Sequence, residues 1–282
     1  MTLAGVWVGA DDGVVLAGLS PARRRLVQTL LAAAVVVAVL ALLAVMRRVV
    51  SDTVDPVPQA RPGPILLVPG YGGSTDSLKV LASSLRAQWR DATVVTLAGD
   101  GTGDLREEAR LLGTAADDVL ARTGAESVDV VGYSAGGVVA RLWVRDFGGA
   151  DLARRIVTLG SPQHGTSVAG LANDIVPTHC PTACQQLAPD SDLLRGLNAG
   201  DETPDGPRFI SIWTTTDDVV RPADSARLDG ALNITLQSIC PDSQLQHGDL
   251  PTDPTVIALV AGELSAQAPF VPSTQDCKQL SS

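Results

Sequence analysis

Ser127-Val128-Asp129-Val130-Val131-Gly132-Tyr133-Ser134-Ala135-Gly136 joins an apolar, β-like run to a helix-like segment, Ala135 to Asp146. A serine on a sharp strand-to-helix turn is lifted clear of the sheet. There a base can take its proton, leaving an oxygen able to attack an acyl carbonyl. Gly132 and Gly136 give that turn room, and the layout makes Ser134 the candidate nucleophile. A glycine-rich chain meets Gly-x-Ser-x-Gly by chance as well, and a plain turn is the alternative. The strand before the serine and the helix after it favour the chemical reading.

Outward from this stretch, strand-like runs alternate with helix-like ones. The strands are Ile65 to Val68, Thr93 to Leu97, Val128 to Val131, Ile156 to Leu159, Arg208 to Trp213 and Asn233 to Ser238. Amphipathic stretches such as Thr75 to Trp89 and Leu105 to Arg122 lie between them. This order predicts an α/β domain: a mostly parallel sheet with helices on both faces. The 282 residues hold one sizeable domain plus appendages. The net charge is −10 and aromatic residues make up 3% of the chain. An acidic domain repels phosphate backbones, and with few aromatic platforms for bases nucleic acid is excluded as a partner.

From Leu26 to Met46 the chain is apolar apart from Gln28 and Thr29, with Arg23, Arg24 and Arg25 before it and Arg47 and Arg48 after it. A helix of this length crosses a bilayer. The flanking arginines lean only slightly towards a cytoplasmic amino terminus. A cleaved signal would show a shorter apolar core and a small-x-small exit, whereas Val45-Met46-Arg47 follows here. A retained anchor is therefore expected, with secretion after cleavage as the alternative. The expected organisation is a short cytoplasmic segment over 1–25, a membrane-spanning helix over 26–46, a proline-rich linker over 47–64 and the folded domain over 65–282. Pro56, Pro58, Pro62 and Pro64 stiffen the linker by fixing φ and disfavouring helix.

Ser134 needs a base, and the chain has three histidines, His164, His179 and His247. In α/β-hydrolases, which this strand–turn–helix layout resembles, the acid comes next in the chain and the histidine last, each on a loop after a strand. His247 fits that place, in the polar stretch Asp242 to Asp249 before a terminal helix that Asp253 caps with Pro254 in its first turn. His164, directly after a strand, reads as a structural or pocket-wall residue, and His179 as a surface one. The acid is offered twice, as Asp217 and Asp218 in Thr216-Asp217-Asp218-Val219-Val220-Arg221-Pro222. One of them is expected to orient the imidazole while the other points elsewhere, and periodicity does not choose between them.

Leu67-Val68-Pro69-Gly70-Tyr71-Gly72-Gly73, the Gly132 to Gly136 elbow, Thr158-Leu159-Gly160-Ser161-Pro162-Gln163-His164-Gly165-Thr166 and the Thr216 to Pro222 stretch together resemble the small secreted lipases and esterases of the α/β-hydrolase superfamily, the lid-poor bacterial and yeast type. The resemblance runs from about Ile65 to Cys277. It implies an α/β-hydrolase fold and a serine esterase or lipase acting on carboxylic esters. It selects Asp217 over Asp218 as the catalytic acid, and places the oxyanion-hole amides at Tyr71 and Ala135. Pro69 stands where many bacterial relatives carry histidine, which matters little because backbone amides supply that chemistry. An acyltransferase using the same three side chains, and a catalytically silent surface scaffold, are the alternatives.

Cys180, Cys184, Cys240 and Cys277 form an even set in a region expected outside the cytoplasm, which suggests two disulfides. Cys180–Cys184 and Cys240–Cys277 are the expected pairs, and zinc binding beside His179 is the competing reading. A small cap is expected over 165–207, with Leu171, Ile175, Val176, Leu187, Leu193 and Leu194 forming either an acyl-binding wall or a cover for the sheet. No metal or organic cofactor is expected. The partners are an ester or lipid substrate and the membrane, and the protein is expected to be a monomer with its domain extracytoplasmic.

Overall fold

The computed structural model describes residues 20–51, 56–169 and 180–281. The chain divides into two compact units, Met1–Thr53 and Val54–Ser282. In the first, helix α1 runs over Pro21–Ser51. Its Pro21–Leu42 part, 22 residues with none buried, is long and apolar enough to cross a membrane. At 1.5 Å per residue it reaches about 33 Å.

The second unit is built on six strands: β1 Ile65–Val68, β2 Ala92–Val94, β3 Val128–Tyr133, β4 Ala153–Leu159, β5 Arg208–Trp213 and β6 Leu232–Thr235. All pair in parallel in the order β2-β1-β3-β4-β5-β6. Side chains alternate across a strand, so the apolar runs feed two cores. Leu66, Val68, Val130 and Ile156 face α3 (Leu105–Thr123) and α4 (Ala135–Asp146). Ile65, Leu67, Val157, Ile210 and Ile212 face α2 (Asp76–Ala87) and the helix Pro254–Glu263. Helices therefore cover both faces of the sheet.

Local signals set the helix ends. Asp104 caps α3 by accepting the Arg106 N–H at 2.9 Å, and Gly124 closes it at φ 69° with its N–H on the Leu120 carbonyl. Asp253 caps the helix Pro254–Glu263 by accepting from Thr255 and Val256, with Pro254 in the first turn.

Within the proline-rich stretch, Gln59 hydrogen-bonds to Arg154 of β4. The Gln59 amide donates to the Arg154 carbonyl at 3.1 Å, and Arg154 returns a bond to the Gln59 carbonyl at 2.8 Å. Arg154 is the centre of a buried cluster. Its guanidinium grips both oxygens of Asp129 at 2.8 and 2.7 Å, and Arg90 adds a third bond at 2.9 Å. Arg154 and Arg90 also donate to the Leu264 carbonyl, so one carboxylate organises segments from four parts of the chain. Removing it leaves Arg154 buried and unpaired. Asp129→Ala is expected to cost about 3–5 kcal/mol, read as a lower urea midpoint at unchanged slope.

Glu263, at the end of its helix, is almost wholly buried with Oε2 unpartnered. Burial pushes its carboxyl from 4.5 up to about 7, against the opposing pull of the Phe270 amide and the Arg155 charge. The folded protein then holds a proton that the unfolded chain releases between about pH 4.5 and 7. Stability from this group accordingly falls as pH rises through that window. Glu263→Gln is expected to flatten the decline, measured as urea midpoints at pH 5 and pH 8. An equal decline in both proteins contradicts the assignment.

Candidate active site

The strand order reverses around β1 and β3, and in an open parallel sheet the crevice at such a switch lies beyond the carboxyl ends of those strands. Val68 of β1 is in register with Gly132 of β3, so the segments that follow them, Pro69 to Gly73 and Tyr133 to Gly136, emerge side by side. A Cβ on Gly70 would come within 2.9 Å of Ser134 Cβ. One on Gly136 would strike the Val68 carbonyl at 2.2 Å, which explains why only glycine fits there. Ser134 sits half-buried at φ 52°, ψ −125°, between β3 and α4. A side chain held in that region is strained, as a nucleophile elbow requires. Its N–H is held by the Leu159 carbonyl at 2.9 Å, and its Oγ makes no hydrogen bond among the described residues.

Asp217 and His247, 30 positions apart, meet over the end of β4. His247 Nδ1 lies 2.8 Å from Asp217 Oδ2, and both residues are about 5% exposed. The other carboxylate oxygen, Oδ1, accepts the Val219 and Val220 N–H groups at 2.9 and 2.7 Å. In the neutral tautomer whose Nδ1 donates to this carboxylate, Nε2 is the ring's acceptor. The pair brackets Gly160, where an added Cβ would lie 3.2 Å from both Asp217 Oδ2 and His247 Nδ1. Gly160 directly follows Leu159, whose carbonyl holds the Ser134 amide. Serine, imidazole and carboxylate are thus gathered around the carboxyl ends of β3 and β4. The Tyr133 ring lies 5.1 Å from the His247 ring.

Asp218 takes another path: it is exposed, and its Oδ1 lies 3.4 Å from the His247 backbone nitrogen. The Tyr71 and Ala135 N–H groups donate to no other group among the described residues. Ala135 opens α4, so the positive end of the helix dipole lies there too. His164 is occupied elsewhere, with Nε2 on Glu202 Oε1 at 2.8 Å and Nδ1 on the Ser225 carbonyl at 3.3 Å. His179, Leu171, Ile175 and Val176 fall outside the described residues.

Beside Ser134 opens an apolar cavity of about 290 Å³, lined by Tyr71, Pro162, Val168, Ala169, Leu187 and Val219 among others. Of the described leucines read as an acyl wall, Leu187 lines it, whereas Leu193 and Leu194 are buried in the core cluster that also holds residues of α3 and α4. Sequence periodicity missed Val168, Ala169 and Val219, because they sit in turns and short segments with no period to detect. A wider hollow of about 400 Å³ between β2 and α3 contains none of the candidate residues.

The disulfides are Cys180–Cys184 and Cys240–Cys277, and no cysteine is free among the described residues. Cys184 lines the cavity, and the second link encloses the segment carrying His247.

The model of the lipase (class 2) family matches residues 114–259, just over half of the chain and a span that includes Ser134, Asp217 and His247. The chain belongs to the class 2 lipase family. Solved structures of similar fold include lipase B of Aspergillus fumigatus, at 20% identity and a TM-score of 0.68 over 78% of this chain and 56% of that one. Another is lipase BlEst2 of Bacillus licheniformis. Its propeptide form matches at 20% identity and 0.61, over 77% of this chain and 53% of that one. Its mature form matches at 18% and 0.60, over 76% of this chain and 95% of that one. The chain thus spans about half the length of the first two and nearly all of the third. At such identities the likeness is one of fold, the α/β-hydrolase fold that the sheet order displays. Membership of the family supports ester hydrolysis.

Proposed function

We propose that the protein is a serine esterase or lipase that hydrolyses carboxylic esters through an acyl-enzyme. Ser134 Oγ attacks the ester carbonyl carbon as His247 Nε2 takes its proton. Asp217 holds the imidazole in the required tautomer and stabilises the imidazolium. The Tyr71 and Ala135 amides bind the oxyanion. Collapse expels the alcohol, which takes the proton from His247. Water, deprotonated by the same imidazole, then attacks the acyl carbonyl; the acyl–Oγ bond breaks, the acid leaves, and His247 returns the proton to Ser134 Oγ. The observation that carries this reading is the buried Asp217–His247 bond at 2.8 Å beside a serine held at φ 52°.

The same reading places the unit from Val54 onward outside the cytoplasm, where its two disulfides persist. It places α1 in the membrane as an anchor, and makes the protein a monomer with a small cap over 165–207. The cavity beside Ser134 takes the acyl chain. At about 290 Å³ it lies at the small end of ligand sites, which run to roughly 300–1,000 Å³. Full-length protein in detergent is therefore expected to hydrolyse nitrophenyl esters from acetyl to palmitoyl with a maximum at short to medium chains. Hydrolysis of none of them rejects the reading.

A further inference from the structure

His247 is held by more than Asp217. Its carbonyl accepts the Tyr133 hydroxyl at 3.2 Å, and its N–H points at Asp218 Oδ1 at 3.4 Å, the looser of the two contacts. Its ring lies 5.1 Å from the Tyr133 ring, tilted by 33°. Tyr133 and Asp218 are the chain neighbours of Ser134 and Asp217. Each dipeptide sends one side chain to the reaction and the other to the backbone of the histidine. Resting on the triad reading above, we propose that Tyr133 and Asp218 are positioning residues that fix the His247 backbone at its carbonyl and its amide, so that Nε2 is presented to Ser134.

The surroundings explain why such a clamp is needed. His247 opens a short 3-10 turn, His247–Asp249, whose next two residues are exposed. Asp249 accepts the Gln246 N–H at 2.8 Å, which stiffens the turn itself but does not tie it to the sheet. Asp217 restrains one ring nitrogen, and an imidazole held at one atom still pivots about that bond. Fixing the backbone on both sides sets the origin of the Cα–Cβ bond and removes the pivot. Tyr133 reaches the turn from the end of β3, and Asp218 from the loop after β5. Both supports thus come from the frame that carries the other two reacting groups, as a pre-organised site requires. The Tyr133 hydroxyl also stays a donor at any working pH. Burial, with the charges of Asp217, Asp218 and Asp249, pushes it up to about 12.

The test uses the full-length protein in detergent, with turnover of a nitrophenyl ester normalised to Ser134 sites titrated by a fluorophosphonate. Tyr133→Phe keeps the ring and removes the donor. Asp218→Ala removes the acceptor, while Asp218→Asn keeps an oxygen for the His247 N–H. Tyr133→Phe and Asp218→Ala are each expected to lower kcat about five- to tenfold, the size of one lost hydrogen bond. KM is expected to stay unchanged, and the rate of Ser134 phosphonylation to fall in parallel. The double variant is expected to lose about 10²-fold, as misplacement by about 1 Å does. Asp218→Asn is expected to recover most of the loss seen in Asp218→Ala.

Normal kcat in Tyr133→Phe and Asp218→Ala, or a fall that vanishes on normalisation to titrated sites, overturns the proposal. A fall in Asp218→Asn as deep as in Asp218→Ala overturns the positioning role of Asp218, because charge and not geometry then matters. Ser134→Ala run alongside separates the two claims. Retained turnover in Ser134→Ala sinks the triad reading, whereas its loss with unaffected clamp variants sinks only the clamp.

Discussion

Ser134→Ala lowers the turnover of a nitrophenyl ester by about 10⁶-fold, the scale seen when a triad nucleophile is lost, while KM changes little. The expectation follows from the way the elbow isolates this hydroxyl. Ser134 is held at φ 52° with its N–H on Leu159, so the backbone already bears the strain of aiming Oγ away from the sheet. Alanine keeps that backbone and removes only the oxygen. The variant should unfold at the wild-type urea midpoint, so lost activity is lost chemistry. The remaining amides of Tyr71 and Ala135 can still polarise a carbonyl, leaving residual catalysis of about 10³–10⁴ over water. A fall of tenfold or less shows that another nucleophile, or a water, performs the attack.

Asp217→Asn is expected to lower kcat by about 10⁴-fold with the fold intact. Asp217 accepts three bonds, two from Val219 and Val220 amides on Oδ1 and one from His247 on Oδ2. An asparagine can keep its oxygen on the two backbone amides. It then turns its NH₂ towards His247, which rewards the tautomer with Nδ1 unprotonated and the proton on Nε2. A histidine in that state cannot take the Ser134 proton. Asp218→Asn is the matched control, since it removes the same charge one residue further on and leaves the Asp217–His247 bond untouched. It should cost far less than Asp217→Asn. Equal losses at the two positions would mean that general negative charge, and not this hydrogen bond, supports the reaction.

Much of the fold was legible because local pattern and final environment agree. β1 and β5 follow the apolar runs Ile65–Val68 and Arg208–Trp213, and α4 begins at Ala135 and ends at Asp146 as read. Asp253 and Pro254 mark the start of the last long helix. Agreement fails where pairing partners set the boundary. The run read as Thr93 to Leu97 pairs with β1 only over Ala92–Val94, because β2 is at the sheet edge and has one neighbour. β6 stops at Thr235, and Leu236 and Ile239, three apart, turn into one helical turn that buries both.

The site shows the same division. Motif and chain order single out Ser134 and His247 as candidates, whereas the two adjacent aspartates differ only in where the loop after β5 points them. The charged cluster of Asp129, Arg154 and Arg90 hides inside strand-like runs and helix ends, where single-residue pattern gives no sign of pairing. The bond between Gln59 and Arg154, 95 positions apart, is likewise invisible to a reading of the proline-rich stretch by itself.

The most direct measurement is mass spectrometry of the full-length protein acid-quenched during turnover of a slowly deacylating ester, followed by peptide mapping. The account predicts one acyl group per chain on the peptide carrying Ser134, absent from Ser134→Ala and released on further incubation in water. Turnover with no acyl adduct, or an adduct on another residue, contradicts it.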